Sequence, residues 1–335
     1  MSRDASSSGA ERPIDAMILA SLRERGSISG AELAQSLGIS RAAIWARIEE
    51  LRKLGFEINA SPHAGYQLVQ TPDLLLADDL LSRLPRGLRV GRDIHVFQET
   101  TSTNDVMEKL ARDGVPEGVV VFAESQTRGR GRMGRSWISP RGKGLWFSVL
   151  LRPLLAPQET TRLTVAAAAA LARAIQAQTG LAPDIKWPND ILLRGRKVAG
   201  ILTEMQAEVD RVKHVILGIG VDVNLQAGEY PAELRDVATS LLLEGGRSVE
   251  RPDLAAAILA ELNRDYNRVC EGRFAEVADE WEARCTTLGR GVTITVGPRI
   301  IRGRAESLDP DGALLVRTQH GHLERILGGD VTIEK

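Results

Sequence analysis

A chain of 335 residues is too long for one ordinary hydrophobic core and calls for two or three domains. With 43% hydrophobic and 26% charged residues it has a globular composition, and its net charge of −1 excludes a protein that holds polyanions by bulk charge; phosphate or nucleic-acid work must fall to local patches. No stretch reaches the roughly 18–20 apolar residues of a membrane helix, residues 1–13 lack an apolar leader and read as a disordered tail, and two cysteines, Cys270 and Cys285, give no disulfide framework and fit a reducing cytoplasm.

From the N-terminus, Ile14, Met17, Ile18 and Leu22 form the apolar stripe of an amphipathic helix that Gly26 and Ser27 stop. Ser29 is placed to cap a helix over 31–37 that Gly38 ends, and Ser40 to cap a third with Ile44, Ile48 and Leu51 on one face. Two helices across a tight glycine turn make a helix-turn-helix. Phe56–Ile58 and Tyr66–Val69 bracket Ser-Pro-His-Ala-Gly and predict a hairpin, so residues 14–71 read as a winged helix-turn-helix. Its third helix sets four cations (Arg41, Arg47, Arg52, Lys53) against Glu49 and Glu50, a local charge near +2. Ser40, Arg41, Ala42 and Arg47 are the candidates to face DNA. The same pattern also fits a three-helix packing module with solvated charges.

Residues 72–287 predict an α/β domain. A strand near 94–99, a helix over 104–113 ended by Gly114 and a strand over 119–124 come first, and an alanine-rich helix over 159–179 follows. Strands at 184–193, 197–204 and 212–224 and helices at 253–270 and 273–284 complete it. Residues 288–335 alternate apolar and polar positions around the turn Asp309-Pro-Asp-Gly312, the pattern of a small β-barrel. His320 and His322 can share a strand face but have no third metal ligand beside them.

The chemistry concentrates in Gln126-Thr-Arg-Gly-Arg-Gly-Arg-Met-Gly-Arg-Ser-Trp137. Six cations and no acid lie between Arg128 and Lys143. Gly129, Gly131 and Gly134 let backbone amides approach a ligand, and arginine forks suit phosphate oxygens and carboxylates, so the segment predicts a mobile anion cradle. Its Gly-x-Gly-x-x-Gly spacing imitates a dinucleotide fingerprint, but Ser-Trp-Ile-Ser-Pro follows where a helix should open, and no Gly-Lys-Ser/Thr phosphate loop occurs. Thr101-Ser-Thr-Asn104 offers hydroxyls that either cap the next helix or bond a ligand. Lys186-Trp-Pro-Asn-Asp190 and Arg196-Lys197-Val-Ala-Gly-Ile-Leu202 set lysines at facing strand ends, as fixed positive charges for a carboxylate or phosphoryl group or simply as surface charge. Asp190 is the candidate ligand for a Mg²⁺ ion arriving with a polyphosphate.

In this order and spacing, the Gly129–Arg135 turn with Trp137, the Lys-Trp-Pro-Asn-Asp segment and the Lys197–Leu202 segment resemble the biotin–protein ligase family, in the bifunctional form that is also a biotin operon repressor. The likeness spans about residues 14–333. It implies a mixed-sheet, class II synthetase-like ligase domain between a winged helix-turn-helix and an SH3-like barrel. It implies ATP and biotin as substrates, the biotin carboxyl carrier protein of acetyl-CoA carboxylase as acceptor, and a homodimer on operator DNA once adenylate is bound. By the same resemblance Ser102, Thr103, Asn104 and Gln126 would line the biotin pocket. Arg130, Gly131 and Arg132 would close over biotinyl-adenylate, and Lys197 would meet the activated carboxylate. Gly129, Arg132, Arg135, Trp137 and Asn189 would hold ATP, with Lys186 and Asp190 serving its phosphates and metal. Met133 replaces an arginine usual in the family, and Gly220-Val-Asp222 replaces Gly-Ile-Asn; an ionised Asp accepts but cannot donate as Asn does. Two rivals are a ligand-sensing regulator without ligase activity and a lipoate-type ligase on the same scaffold.

Overall fold

The structure, a computed structural model, describes residues 12–62 and 64–334; most of the expected tail lies outside them. The N-terminal unit is α1 (Ile14–Arg25), α2 (Gly30–Leu37), α3 (Arg41–Lys53) and the hairpin β1 (Glu57–Ser61) and β2 (Gly65–Gln70). Its own core takes Ile18, Leu22, Ile44, Ile48 and Leu51 from the stripes read in the sequence and adds Leu33, while Ile14 packs at its edge and Met17 is half-buried. Ser29 and Glu32 form a reciprocal capping box on α2, and Ser40 Oγ accepts from Ala43 N at 3.1 Å on α3. Gly65, at φ +75°, brings the wing against Ile28, whose carbonyl oxygen would lie 2.3 Å from any Cβ there.

This unit is docked on the next one. Helix α4 (Ala77–Arg83) packs on α1, where Arg23 reaches Asp79 at 2.5 Å. The linker is pinned by Arg251, 1% exposed, which binds Asp73 and donates to Glu124 Oε2 at 2.7 Å.

The central sheet has seven strands: β3 (Asp93–Phe97), β4 (Val119–Ala123), β5 (Gly144–Leu151), β6 (Asp184–Lys186), β7 (Asp190–Leu193), β8 (Arg196–Ala207) and β9 (Val212–Asp222), in the order β3-β4-β5-β9-β8-β7-β6. Only β3 and β4 run parallel. Helix α5 (Thr103–Arg112) covers one face through Met107, Val121, Leu150 and Ile216. The alanine-rich α6 (Thr161–Thr179), with α7 (Leu241–Gly245), α8 (Arg251–Cys270) and α9 (Phe274–Glu282), belongs to the main core on the other face. Small side chains let α6 sit close to both the sheet and α8. Strand β5 is buried along its whole length, so it carries no polar alternation. The expected strand over 184–193 is two strands with a turn at Trp187–Asn189.

Five antiparallel strands end the chain: β10 (Gly291–Val296), β11 (Arg299–Leu308), β12 (Leu314–Thr318), β13 (Leu323–Ile326) and β14 (Asp330–Ile333), ordered β13-β12-β11-β10-β14. Val292, Ile294, Leu314 and Val316 join their core to the central one. Arg162 on α6 locks the Asp309–Gly312 turn through Asp311 at 2.8 Å.

Candidate active site

One cavity of about 240 Å³ opens where β8 and β9, the N-terminus of α5 and the 128–137 turn meet. Every ligase-site candidate lines it except Gly129. That glycine stands behind the wall: a Cβ there would lie 2.4 Å from the Trp137 carbonyl oxygen, so its smallness serves the packing of the turn.

At one end the polar groups are neutral and already bonded. Gln126 Oε1 accepts from Thr103 N at 2.8 Å and from its hydroxyl at 3.2 Å, while Gln126 Nε2 donates to Ser139 Oγ at 2.9 Å. Ser148 Oγ lies 2.7 Å from Thr103 Oγ1 and 2.6 Å from Asn104 Oδ1. Asn104 Nδ2 donates to Glu204 at 2.8 Å, which fixes which way round the amide sits. Ser102 precedes α5 but makes no side-chain cap bond, which leaves its hydroxyl to the cavity. Gly218 makes room for Asn104, whose Oδ1 would stand 2.3 Å from a Cβ.

The other end is aromatic and charged. The Trp137 ring lies on Gly200 and Gly220, partners across β8 and β9, and a Cβ on Gly220 would meet it at 2.6 Å. The two β9 glycines, Gly218 and Gly220, thus admit an amide and the indole. Lys197 Nζ is 5.0 Å from the Trp137 ring centroid and 2.6 Å from Asp190 Oδ1. Lys186 also faces the cavity.

The cation-rich turn is ordered by its own backbone, with Gly131 N donating to Arg135 O at 2.6 Å and Trp137 N to Gly129 O at 2.8 Å. Met133, where the resemblance leads one to expect arginine, sits at its tip at φ +55° and 64% exposed. The run of cations is not an uncompensated field, because acids come from elsewhere in the chain. Arg130 meets Asp105 at 2.5 Å and Glu204 at 3.5 Å, Arg135 meets Asp330 at 2.5 Å, and Lys143 meets Glu229 at 3.1 Å. Burial works against the Arg130 charge, but Asp105 and Glu204 outweigh it and raise its pKa. Burial depresses that of Arg132, with Asp190 and Asp330 pulling the other way. Arg132 donates to Asn189 Oδ1 at 2.8 Å and to the Gly329 carbonyl at 3.2 Å.

Sequence reasoning passed over Ser139, Ser148, Glu204, Tyr230, Gly329 and Asp330. None carries a local signal: Ser148 and Glu204 arrive by strand register, Ser139 and Tyr230 from loops, and Gly329 and Asp330 from the C-terminal sheet. Asp222 was noticed only as a departure. It is buried under the Tyr230 hydroxyl, 3.0 Å away, and burial pushes its pKa up to about 8 against the pull of that bond and of Lys197. Among the described residues no cluster of three His, Cys, Asp or Glu could hold a resident metal.

On the N-terminal unit, Arg41, Ala42 and an unforeseen Trp45 (59% exposed) face outward on α3, while the Ser40 hydroxyl caps that helix. Arg47 is half-exposed but leans back 3.6 Å from Asp15 on α1, and Arg52 and Lys53 pair with Glu49 and Glu50. Of the +2 expected of α3, which already counts Glu49 and Glu50, Asp15 offsets the Arg47 charge and Arg41 stays exposed.

Comparison with known proteins agrees with this layout. The biotin/lipoate A/B protein ligase family matches residues 96–222, an HTH domain residues 16–67, and a biotin protein ligase C terminal domain residues 287–333. The bifunctional ligase/repressor BirA of Bacillus subtilis is 39% identical over 306 residues, 91% of this chain and 94% of its own. Its namesake from Escherichia coli is 31% identical over 91% of this chain and 92% of its own. A biotin protein ligase from Aquifex aeolicus, solved in complex with biotin and ATP, aligns with a TM-score of 0.62 at 30% identity, over 72% of this chain and 98% of that one.

Proposed function

The chain belongs to the biotin protein ligase family, in its bifunctional ligase/repressor branch, and from that premise we propose how its residues do the work. It is an ATP-dependent ligase that joins biotin to a lysine of a carrier protein, and it carries a helix-turn-helix repressor module. The observation that carries the site assignment is a single cavity with a neutral hydrogen-bonding end and a cationic, aromatic end.

Biotin's ureido head takes the neutral end, among Ser102, Thr103, Asn104 and Gln126, where donors and acceptors are held in place before it arrives. Adenine packs on Trp137, and Arg132, Arg135 and Asn189 hold the nucleotide. A carboxylate is a poor electrophile. Its oxygen attacks the α-phosphorus of ATP, the bond to the β-phosphate oxygen breaks, and pyrophosphate leaves. Lys197 and Lys186 stabilise the charge that grows on the α-phosphoryl oxygens. A carrier lysine, as free amine, then attacks the acyl carbon; AMP leaves and the amine loses its proton. Arg130, Gly131 and Arg132 shield the mixed anhydride from water in the interval.

Mg²⁺ would enter with the nucleotide. One carboxylate, Asp190, already bonded to Lys197, fits an ion held mainly by phosphates and water, and bound there it neutralises phosphate charge. Free Cys270 and Cys285 and the need for ATP favour the cytoplasm. Repression requires two copies on a two-fold site, with adenylate as the signal for pairing.

The test is to mix the chain with biotin, Mg-ATP and a biotin carboxyl carrier domain, and to weigh the carrier. A mass gain of one biotin acyl group that needs all three components is expected. An unmodified carrier overturns the reading. The same chain titrated into DNA selected from a random pool, with and without biotin and ATP, tests the repressor role; binding indifferent to biotin would refute it.

A further inference from the structure

The turn between β13 and β14 lines the cavity through Gly329 and Asp330, although it belongs to the C-terminal sheet. Sterics fix its place. A Cβ on Gly329 would lie 2.7 Å from Ile294 Cγ2 and 2.8 Å from the Thr295 carbonyl oxygen, so only glycine lets the turn rest on β10. From there the Gly329 carbonyl accepts from Arg132 Nη2 and Asp330 pairs with Arg135. The other nitrogen of Arg132 is held by Asn189. The 2.6 Å bond from Gly131 N to Arg135 O ties the two arginines into one unit, so whatever holds Arg135 helps to hold Arg132.

We propose that Asp330 is a positioning residue of the ligase site: through Arg135 it holds the 130–135 turn shut on the acyl-adenylate, and the C-terminal sheet thereby sets how long the intermediate is kept. This rests on the ligase function argued above. The strength of the contact suits the task. The Arg135 and Asp330 side chains are 64% and 50% exposed, and a pair so open to water contributes little and is weakened by salt. A fully buried pair would resist the opening that an incoming carrier lysine needs in every turnover. A contact of this size slows release severalfold and still lets the turn lift.

The experiment uses the full chain, loaded with labelled biotin and Mg-ATP and then chased with unlabelled biotin, to read the release rate of the adenylate. Asp330→Asn, nearly identical in shape, should release it about two- to fivefold faster at low salt, with the gap closing near about 0.5 M salt. Asp330→Glu should restore retention. In an Arg135→Gln background, Asp330→Asn should add nothing, because its effect runs through that arginine. Glu324→Gln, which removes a charge from the same sheet where it pairs with Arg299, controls for general loosening and should release at the wild-type rate. Wild-type release from Asp330→Asn overturns the proposal, as does an undiminished effect in the Arg135→Gln background. A wild-type chain that forms no adenylate would instead sink the ligase function on which the proposal stands.

Discussion

The two ends of the cavity are built on opposite plans. At the biotin end, Thr103, Asn104, Gln126, Ser139 and Ser148 are buried or nearly so, and each is bonded to another before any ligand arrives. At the nucleotide end, Arg132 and Arg135 are tied to Asn189, Gly329 and Asp330, far away in the chain, and Lys197 to Asp190 on the neighbouring strand. The first plan gives a preformed pocket whose shape selects the acid, since a buried network leaves its members few alternatives. The second gives charges whose bonds divide the work: Lys197 can leave Asp190 for a phosphate, while Arg135 keeps Asp330 and holds the turn in place.

Removing a charge from the second end should therefore spare the first. Lys197→Ala is expected to lower the rate of adenylate formation by roughly 100- to 1000-fold, the usual cost of losing one preorganised donor to a developing oxyanion. Biotin affinity measured by calorimetry without ATP should stay within about twofold. An equal loss of biotin affinity would show that the two ends are not separable.

A steric change sharpens the contrast. The Gly220→Ala methyl would enter the Trp137 ring at 2.6 Å, and the indole is rigid, so it must leave its floor. Losing most of a stacking contact worth about 1–2 kcal/mol should raise KM for ATP roughly tenfold. The biotin network touches neither atom and should be unmoved. An unchanged KM for ATP would mean that Trp137 has no part in holding the nucleotide.

What could be read without coordinates follows the same division. The helix-turn-helix was legible almost residue by residue, because its stripe, its glycine stop and its caps at Ser29 and Ser40 are local. The catalytic turn was legible as a cluster of cations, but its electrostatics were not: Asp105 and Glu204 pair with Arg130 and Asp330 with Arg135, from three other elements. Strand β5 was invisible because both of its faces are buried, and α4 because seven residues are too few to establish a period. Arg47 was a reasonable DNA candidate by spacing, yet tertiary packing turns it toward Asp15.

The smallest effect tests whether the nucleotide end tolerates a neutral acid among its charges. Burial lifts Asp222 to about 8, and an unfolded aspartate titrates at 3.8. Between about pH 4 and about pH 8 the folded chain therefore holds a proton that the unfolded chain has released, and stability must fall as pH rises through that window and level off above it. Tyr230, whose own pKa is pushed up by burial and by Asp222, stays protonated throughout and keeps donating. Asp222→Asn preserves the acceptor for Tyr230 and removes the titration. Its Tm should draw level with or pass that of the wild type as pH rises, by a few degrees near pH 8, on the scale of about 2–4 °C per kcal/mol for a chain of this size. Curves of Tm against pH that run parallel for the two proteins would mean that Asp222 is ionised at neutral pH, and that the cationic end includes one more carboxylate than the neutral-acid account allows.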